Sequence, residues 1–204
     1  MKRNATETSK GGHPDGVYDL TAGDVARLLS VDLKTIHNWV NQGHLFGRRT
    51  EGRHLRFHRV EIVRFLRRSG HPVPESIGRP PPRVLLCRRR PLDNLSLRGV
   101  IQSVSHGLFA PALEVATGYY EVFVLEIDSH DLEHTCELLA ALRGRPTTQA
   151  LSIVGLSRSA ERRRHFVDQG GDVGLAAGNL ADIVHTAKWL TGAVATPPTR
   201  AITR

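Results

Sequence analysis

The chain has 204 residues, 40 % hydrophobic and 24 % charged, an ordinary composition for one or two globular domains, and its longest apolar runs are strand-length, too short for a membrane-spanning helix. Two cysteines, Cys87 and Cys136, make no disulfide framework, so a reducing cytoplasm, at the nucleoid, is expected. The formal charge of +8 and isoelectric point near 10.3 argue against an acidic partner-repelling surface and for a polyanionic partner.

Residues 1–17 lack the apolar core of a signal peptide and read as a disordered lead-in. Residues 1–82 carry 14 Lys/Arg against 8 Asp/Glu, net +6, and residues 83–204 carry 14 against 12, net +2. Between Arg48 and Arg68 there are 8 Arg and 2 Glu. Such a cluster attracts nucleic acid, the commonest polyanion; the bland alternative is a solvated arginine face.

"LTAGDVARLLSVDLKTIHNWVNQGHL" (20–45) has the pattern of two short helices. Thr21 is an N-cap, with Asp24 completing a variant capping box, and Val25, Leu28 and Leu29 form one apolar stripe. A turn at Ser30–Val31 follows, and Asp32 caps the next helix. There Ile36, Trp39 and Val40 point inward, and Gly43 stops the helix in the left-handed conformation. Lys34, Thr35, His37, Asn38 and Asn41 remain for the outer side. A second helix presented this way enters a major groove; Asn38 is suited to a bidentate contact with adenine and Lys34 to guanine or phosphate.

"LFGRRTEGRHLRFHRVEIVRFL" (45–66) reads as two short strands about a Glu51–Gly52 turn, then a helix packed through Val60, Ile62, Val63 and Leu66. Leu55 and Phe57 alternate with His54, Arg56 and His58, giving one buried and one basic face. Arg48, Arg49, Arg53, His54 and Arg56 line this hairpin as a wing for the minor groove or the backbone. On these stretches residues 18–68 resemble the excisionase/MerR-type winged helix-turn-helix. The resemblance implies DNA binding through residues 34–41 and the 48–56 wing. Leu55 departs from the family pattern, which often has Arg there, so one wing contact is expected to be missing.

"SGHPVPESIGRPPPR" (69–83) breaks the chain, and Pro80–Pro82 exclude a helix interior, so residues 69–82 read as a semi-rigid linker. Beyond it, apolar strands at 84–87, 121–128, 150–157 and 172–177 alternate with helices near 130–143, 158–169 and 179–193. Leu95, Val100, Ile101 and Val104 give residues 92–105 a mostly helical spacing, and residues 194–204 read as a tail. The expected fold is therefore two domains: a mainly α winged helix-turn-helix, then an α/β doubly wound parallel sheet over residues 83–193, with sites at the strands' C-terminal ends.

This order, with "EVFVLEI" and "RRHFVDQGGDVGLAAG", resembles the receiver domain of bacterial response regulators, a flavodoxin-like fold. The resemblance implies an acidic Mg²⁺-binding pair where Arg88 and Arg89 stand, a phosphoacceptor Asp where Glu126 stands with Asp128 two beyond, a Ser/Thr kept as Ser157, and a Lys replaced by Ala177. Two arginines repel Mg²⁺, and without it the charge on a transferring phosphoryl group is poorly stabilised. A phosphorylation-independent pseudo-receiver is expected, with Arg88 or Arg89 paired to Glu126.

"HDLEH" (130–134) offers two His at i, i+4, but no third ligand stands out, so no metal or other cofactor is expected. The reading is a bacterial regulator, not an enzyme. Its partners are double-stranded DNA, a second copy bound through about residues 158–193, and a further protein; no membrane is involved. The rivals are a signalling adaptor and a low-specificity architectural DNA binder.

Overall fold

The first helix, α1 (Ala22–Leu29), starts where a hydroxyl and a carboxylate satisfy each other's backbone. Thr21 Oγ1 accepts from the Asp24 N–H at 3.1 Å, and Asp24 Oδ2 accepts from the Thr21 N–H at 3.0 Å. This computed structural model describes residues 20–78, 81–88, 100–105 (101–105 as backbone), 120–145, 148–177, 179–199 and 201–203. Ser30, at φ 54°, ends α1 and turns the chain into α2 (Leu33–Asn41). Asp32 stands at the N-cap of α2, but its side chain makes no capping bond; its carbonyl accepts from the Thr35 N–H at 2.9 Å instead. Gly43, at φ 74°, closes α2, and the His44 and Leu45 N–H groups return to the Trp39 carbonyl.

Three short strands follow the order β1 (Leu20–Thr21), β3 (Leu55–Phe57), β2 (Arg48–Arg49), all antiparallel. The hairpin expected from sequence is there; the pairing of Leu20–Thr21 with Arg56–Phe57 adds a third strand that ties the wing to the start of α1. α3 (Arg59–Arg68) begins at His58, whose Nδ1 accepts from the Val60 N–H. Val25, Ile36, Leu45, Leu55, Phe57, Ile62, Val63 and Leu66 form the core, with Trp39 stacked obliquely on Phe65 at 4.8 Å.

The Pro/Gly-rich stretch is less of a free connector than its composition implies. Residues 75–78 make a helical turn, α4 (Glu75–Gly78), and Ile77 and Val73 pack on the N-terminal core. There is no space for a Cβ at Gly78, which would lie 2.5 Å from Ala193 Cα.

The second part is a six-stranded sheet in the order β5, β4, β6, β7, β8, β9. The strands are β4 (Arg83–Cys87), β5 (Ile101–Ser105), β6 (Val122–Glu126), β7 (Ser152–Ser157), β8 (Val173–Ala176) and β9 (Ile202–Thr203). The first five are parallel, and β9 is antiparallel to β8. Residues alternate between two cores. Leu85, Cys87, Phe123, Leu125 and Ile153 meet α5 (Leu132–Arg143) and α6 (Ala160–Asp168); Val84, Leu86, Val122, Val124, Val154 and Leu175 meet α7 (Leu180–Leu190). A Cβ at Gly171 would fall 2.1 Å from the Phe166 ring, so that glycine is what lets the ring lie flat against the chain.

Two expectations fail here. Residues 101–105 are the strand β5, not part of a helix: Val100, Ile101 and Val104 have the helical spacing i, i+1, i+4, but parallel pairing along the whole length of β4 overrides it, and β-branched residues suit a strand. The helix expected over 92–99 lies outside the described residues. Within the supposed tail, Ile202–Thr203 cover the edge of β8, and His185 contacts the Thr196 carbonyl.

Candidate nucleic-acid interface

The inward side of α2 is fixed by Ile36, fully buried, and by Trp39 against Phe65, which leaves the opposite side to solvent. Lys34, Asn38 and Asn41 lie there at i, i+4 and i+7, all exposed; Thr35 and His37 flank them, half-buried. Beside them the wing turns tightly. Thr50 and His54 exchange backbone and side-chain bonds, and the Arg53 N–H reaches the Thr50 carbonyl at 2.8 Å. Arg53 holds φ 58°, the left-handed region that a non-glycine residue occupies only under constraint. Arg49, Arg53 and His54 are exposed, whereas Arg48 and Arg56 are half-buried and Arg56 leans on the Leu55 carbonyl. Leu55, where the chain departs from the family pattern, is 2 % exposed and part of the core.

The arginine cluster divides in two. Arg59, Arg64 and Arg67 turn away from the wing and onto the α/β part. Arg59 forms a bidentate, buried ion pair with Glu121, which also accepts from the Arg83 N–H at 3.1 Å. Arg64 meets Asp172 at 3.0 Å, Glu61 at 2.5 Å, and the Ala150 and Leu151 carbonyls. Arg143 grips the other Asp172 oxygen at 2.6 Å, and the same oxygen accepts from the Ile153 N–H. Arg67 lies over the Trp189 ring at 4.3 Å and donates to its carbonyl. The guanidinium groups of Arg59 and Arg64 are therefore neutralised within the chain, and that of Arg67 faces the α/β part, contrary to a face-wide reading of residues 48–68.

Glu121 and Asp172 went unremarked in the sequence, because attention falls on the C-terminal ends of parallel strands. Both are acids placed directly ahead of an apolar run, Val122–Leu125 of β6 and Val173–Ala176 of β8, and that position is the signal. The helix-turn-helix docks at the N-terminal edge of the sheet. His58, sealed at this junction, is neutral: burial, then the charges of Arg64, Arg83 and Arg59, push its pKa down to about 3.

The receiver-like positions lie at the opposite edge, about 17 Å away along a five-residue strand. There Arg88 Nη2 stands 3.4 Å from Glu126 Oε1, both partly buried. Ser157 Oγ donates to Asp128 Oδ1 at 2.5 Å, and the Arg158 N–H to Asp128 Oδ2 at 2.9 Å. Ala177 follows β8; Arg89 lies outside the described residues. Burial and the Glu126 carboxylate raise the Cys87 thiol to about 11, so it stays protonated. His130 precedes α5, which starts at Leu132, so His130 and His134 are not a helical pair; among the described residues no cluster of three metal-ligating side chains forms. No helix among them is long and apolar enough to cross a membrane.

No curated protein matches the chain. Residues 20–70 match a family model described as a helix-turn-helix domain, and with the geometry above they constitute a helix-turn-helix DNA-binding domain.

Proposed function

We propose that the chain is a sequence-specific, DNA-binding transcriptional regulator with a winged helix-turn-helix of excisionase/MerR type. The observation that carries this reading is the exposed row Lys34–Asn38–Asn41 on α2 beside the exposed Arg49, Arg53 and His54 of the wing. The row offers bidentate and cationic donors to base edges, and the wing offers cations to phosphates. The α/β part acts as a phosphorylation-independent pseudo-receiver of flavodoxin-like fold and has no enzymatic role. Supporting this are its strand order of second, first, third, fourth, fifth, an arginine at the end of its first strand, and the Arg88–Glu126 contact in place of an acidic pocket. It dimerises through the sides of α6 and α7 still exposed, since β9 and Arg67 already occupy β8 and Trp189.

Fluorescence anisotropy on a selected genomic site and on random duplex tests the reading. A regulator prefers its site by on the order of 10³-fold or more. Equal affinity with a steep salt slope points to an architectural binder, and no binding at moderate salt to an adaptor. Acetyl phosphate with Mg²⁺ is expected to leave the chain unlabelled; incorporation that Glu126→Gln abolishes would overturn the pseudo-receiver.

A further inference from the structure

A cleft of about 600 Å³ opens where α3 meets the α/β part, with Phe46, Arg64, Arg67, Arg68, Arg143 and Trp189 in its walls. That volume lies within the range that holds a small molecule. Its charge is unbalanced. Four guanidinium groups face two carboxylates, Glu61 and Asp172, and those two are already engaged by Arg64 and Arg143. Among the described residues neither Arg67 nor Arg68 forms a close ion pair, although the charge of Arg68 acts on Glu61 from a distance; Arg67 donates to the Trp189 carbonyl and Arg68 to the His44 carbonyl at 3.3 Å. Arg67 is also half-buried, and that burial lowers its pKa, the mark of a cation separated from water without a counter-charge. On the same cleft Phe46 presents its ring to solvent, 44 % exposed, one of few large apolar side chains so placed.

We propose that this cleft binds a small organic anion with a flat ring, its charge held by Arg67 and Arg68 and its ring laid on Phe46. Such a ligand would bring a negative charge for Arg67 and Arg68 and an apolar cover for Phe46. Carboxylate and phosphate or sulfate esters share this chemistry, and planar guanidinium groups accept either. The assignment requires no DNA binding.

Isothermal titration of the full-length chain without DNA tests it, with 1-naphthoate, 1-naphthyl phosphate and the neutral 1-naphthamide as probes. At least one anion is expected to saturate at one per chain, and the better anion identifies the preferred headgroup. The amide is expected to bind at least tenfold more weakly. Arg68→Gln and Phe46→Ala, both at exposed positions, are each expected to weaken the better anion about fivefold or more, with the urea midpoint unchanged. Equal binding of amide and anion, affinity unaltered in both variants, or no saturation by either anion up to millimolar concentration overturns the proposal.

Discussion

Replacing Glu121 with alanine removes the only carboxylate bound to Arg59 among the described residues and leaves that guanidinium, 7 % exposed, inside the junction of the two parts. Breaking a buried pair on one side costs about 3–5 kcal/mol, because the guanidinium loses its bidentate carboxylate while the Ile77 and Pro81 carbonyls that it also meets supply no counter-charge. With a urea dependence of roughly 2–3 kcal/mol per molar, the midpoint falls by about 1–2.5 M. The two tryptophans allow the loss to be located: Trp39 sits in the N-terminal core and Trp189 on α7. Urea titrations of Trp39→Phe and Trp189→Phe backgrounds, each with and without Glu121→Ala, report each part separately. Both probes are expected to shift together, since Glu121 bonds α3 on one side and Arg83 of β4 on the other. The double variant Arg59→Met, Glu121→Met recovers most of the loss. A midpoint shift below about 0.3 M would refute the reasoning, as would a shift seen by one probe alone.

Other perturbations test separate links. Asn38→Ala is expected to cost about 1–3 kcal/mol on the preferred duplex and to relax selectivity at one base pair, measured by anisotropy across single-base variants. Arg53→Ala weakens all duplexes alike and reduces the slope of log affinity against log salt by about one. Thr21→Ala removes the cap of α1 and lowers stability by about 1 kcal/mol in chemical denaturation. The folded pKa of His58, about 3, lies below the unfolded value of 6.5, so its contribution is complete above pH 6.5 and is lost as the pH falls from there towards 3. The limiting slope is about 1.4 kcal/mol per pH unit. Glu61 works in the opposite sense, because burial raises its pKa. His58→Gln is expected to flatten the fall in stability between pH 6.5 and 4, and an unchanged profile would assign that fall to other groups.

Local rules carried far in the N-terminal part. The capping box at Thr21, the stop at Gly43 and the hairpin about Glu51–Gly52 depend on neighbours within a few residues, which sequence displays directly. Leu55 was legible in the same way: its alternation with Phe57 marks it as core, where it lies. Residues 101–105 carry a helical spacing together with Val100, and only pairing with β4, which no local pattern displays, makes them a strand. Counting arginines from Arg48 to Arg68 exposed a basic cluster but not its division, since Glu121 and Asp172 approach from 62 and 108 residues away. The strand ends bearing Glu126 and Ser157 followed from the alternation of strands and helices. The docking edge did not, because nothing local marks which end of a sheet another domain will meet.

That docking edge makes the α/β part an electrostatic mask. Glu121 and Asp172 neutralise arginines that would otherwise add to the field of the helix-turn-helix, while Arg49 and Arg53 remain uncovered. Removing the mask changes what is measured. A fragment ending near residue 78 releases Arg59, Arg64 and Arg67 to solvent, and each bound copy gains affinity for random duplex with a steeper salt slope than in the intact chain. Tight binding by such a fragment therefore says little about the sites that the whole protein selects.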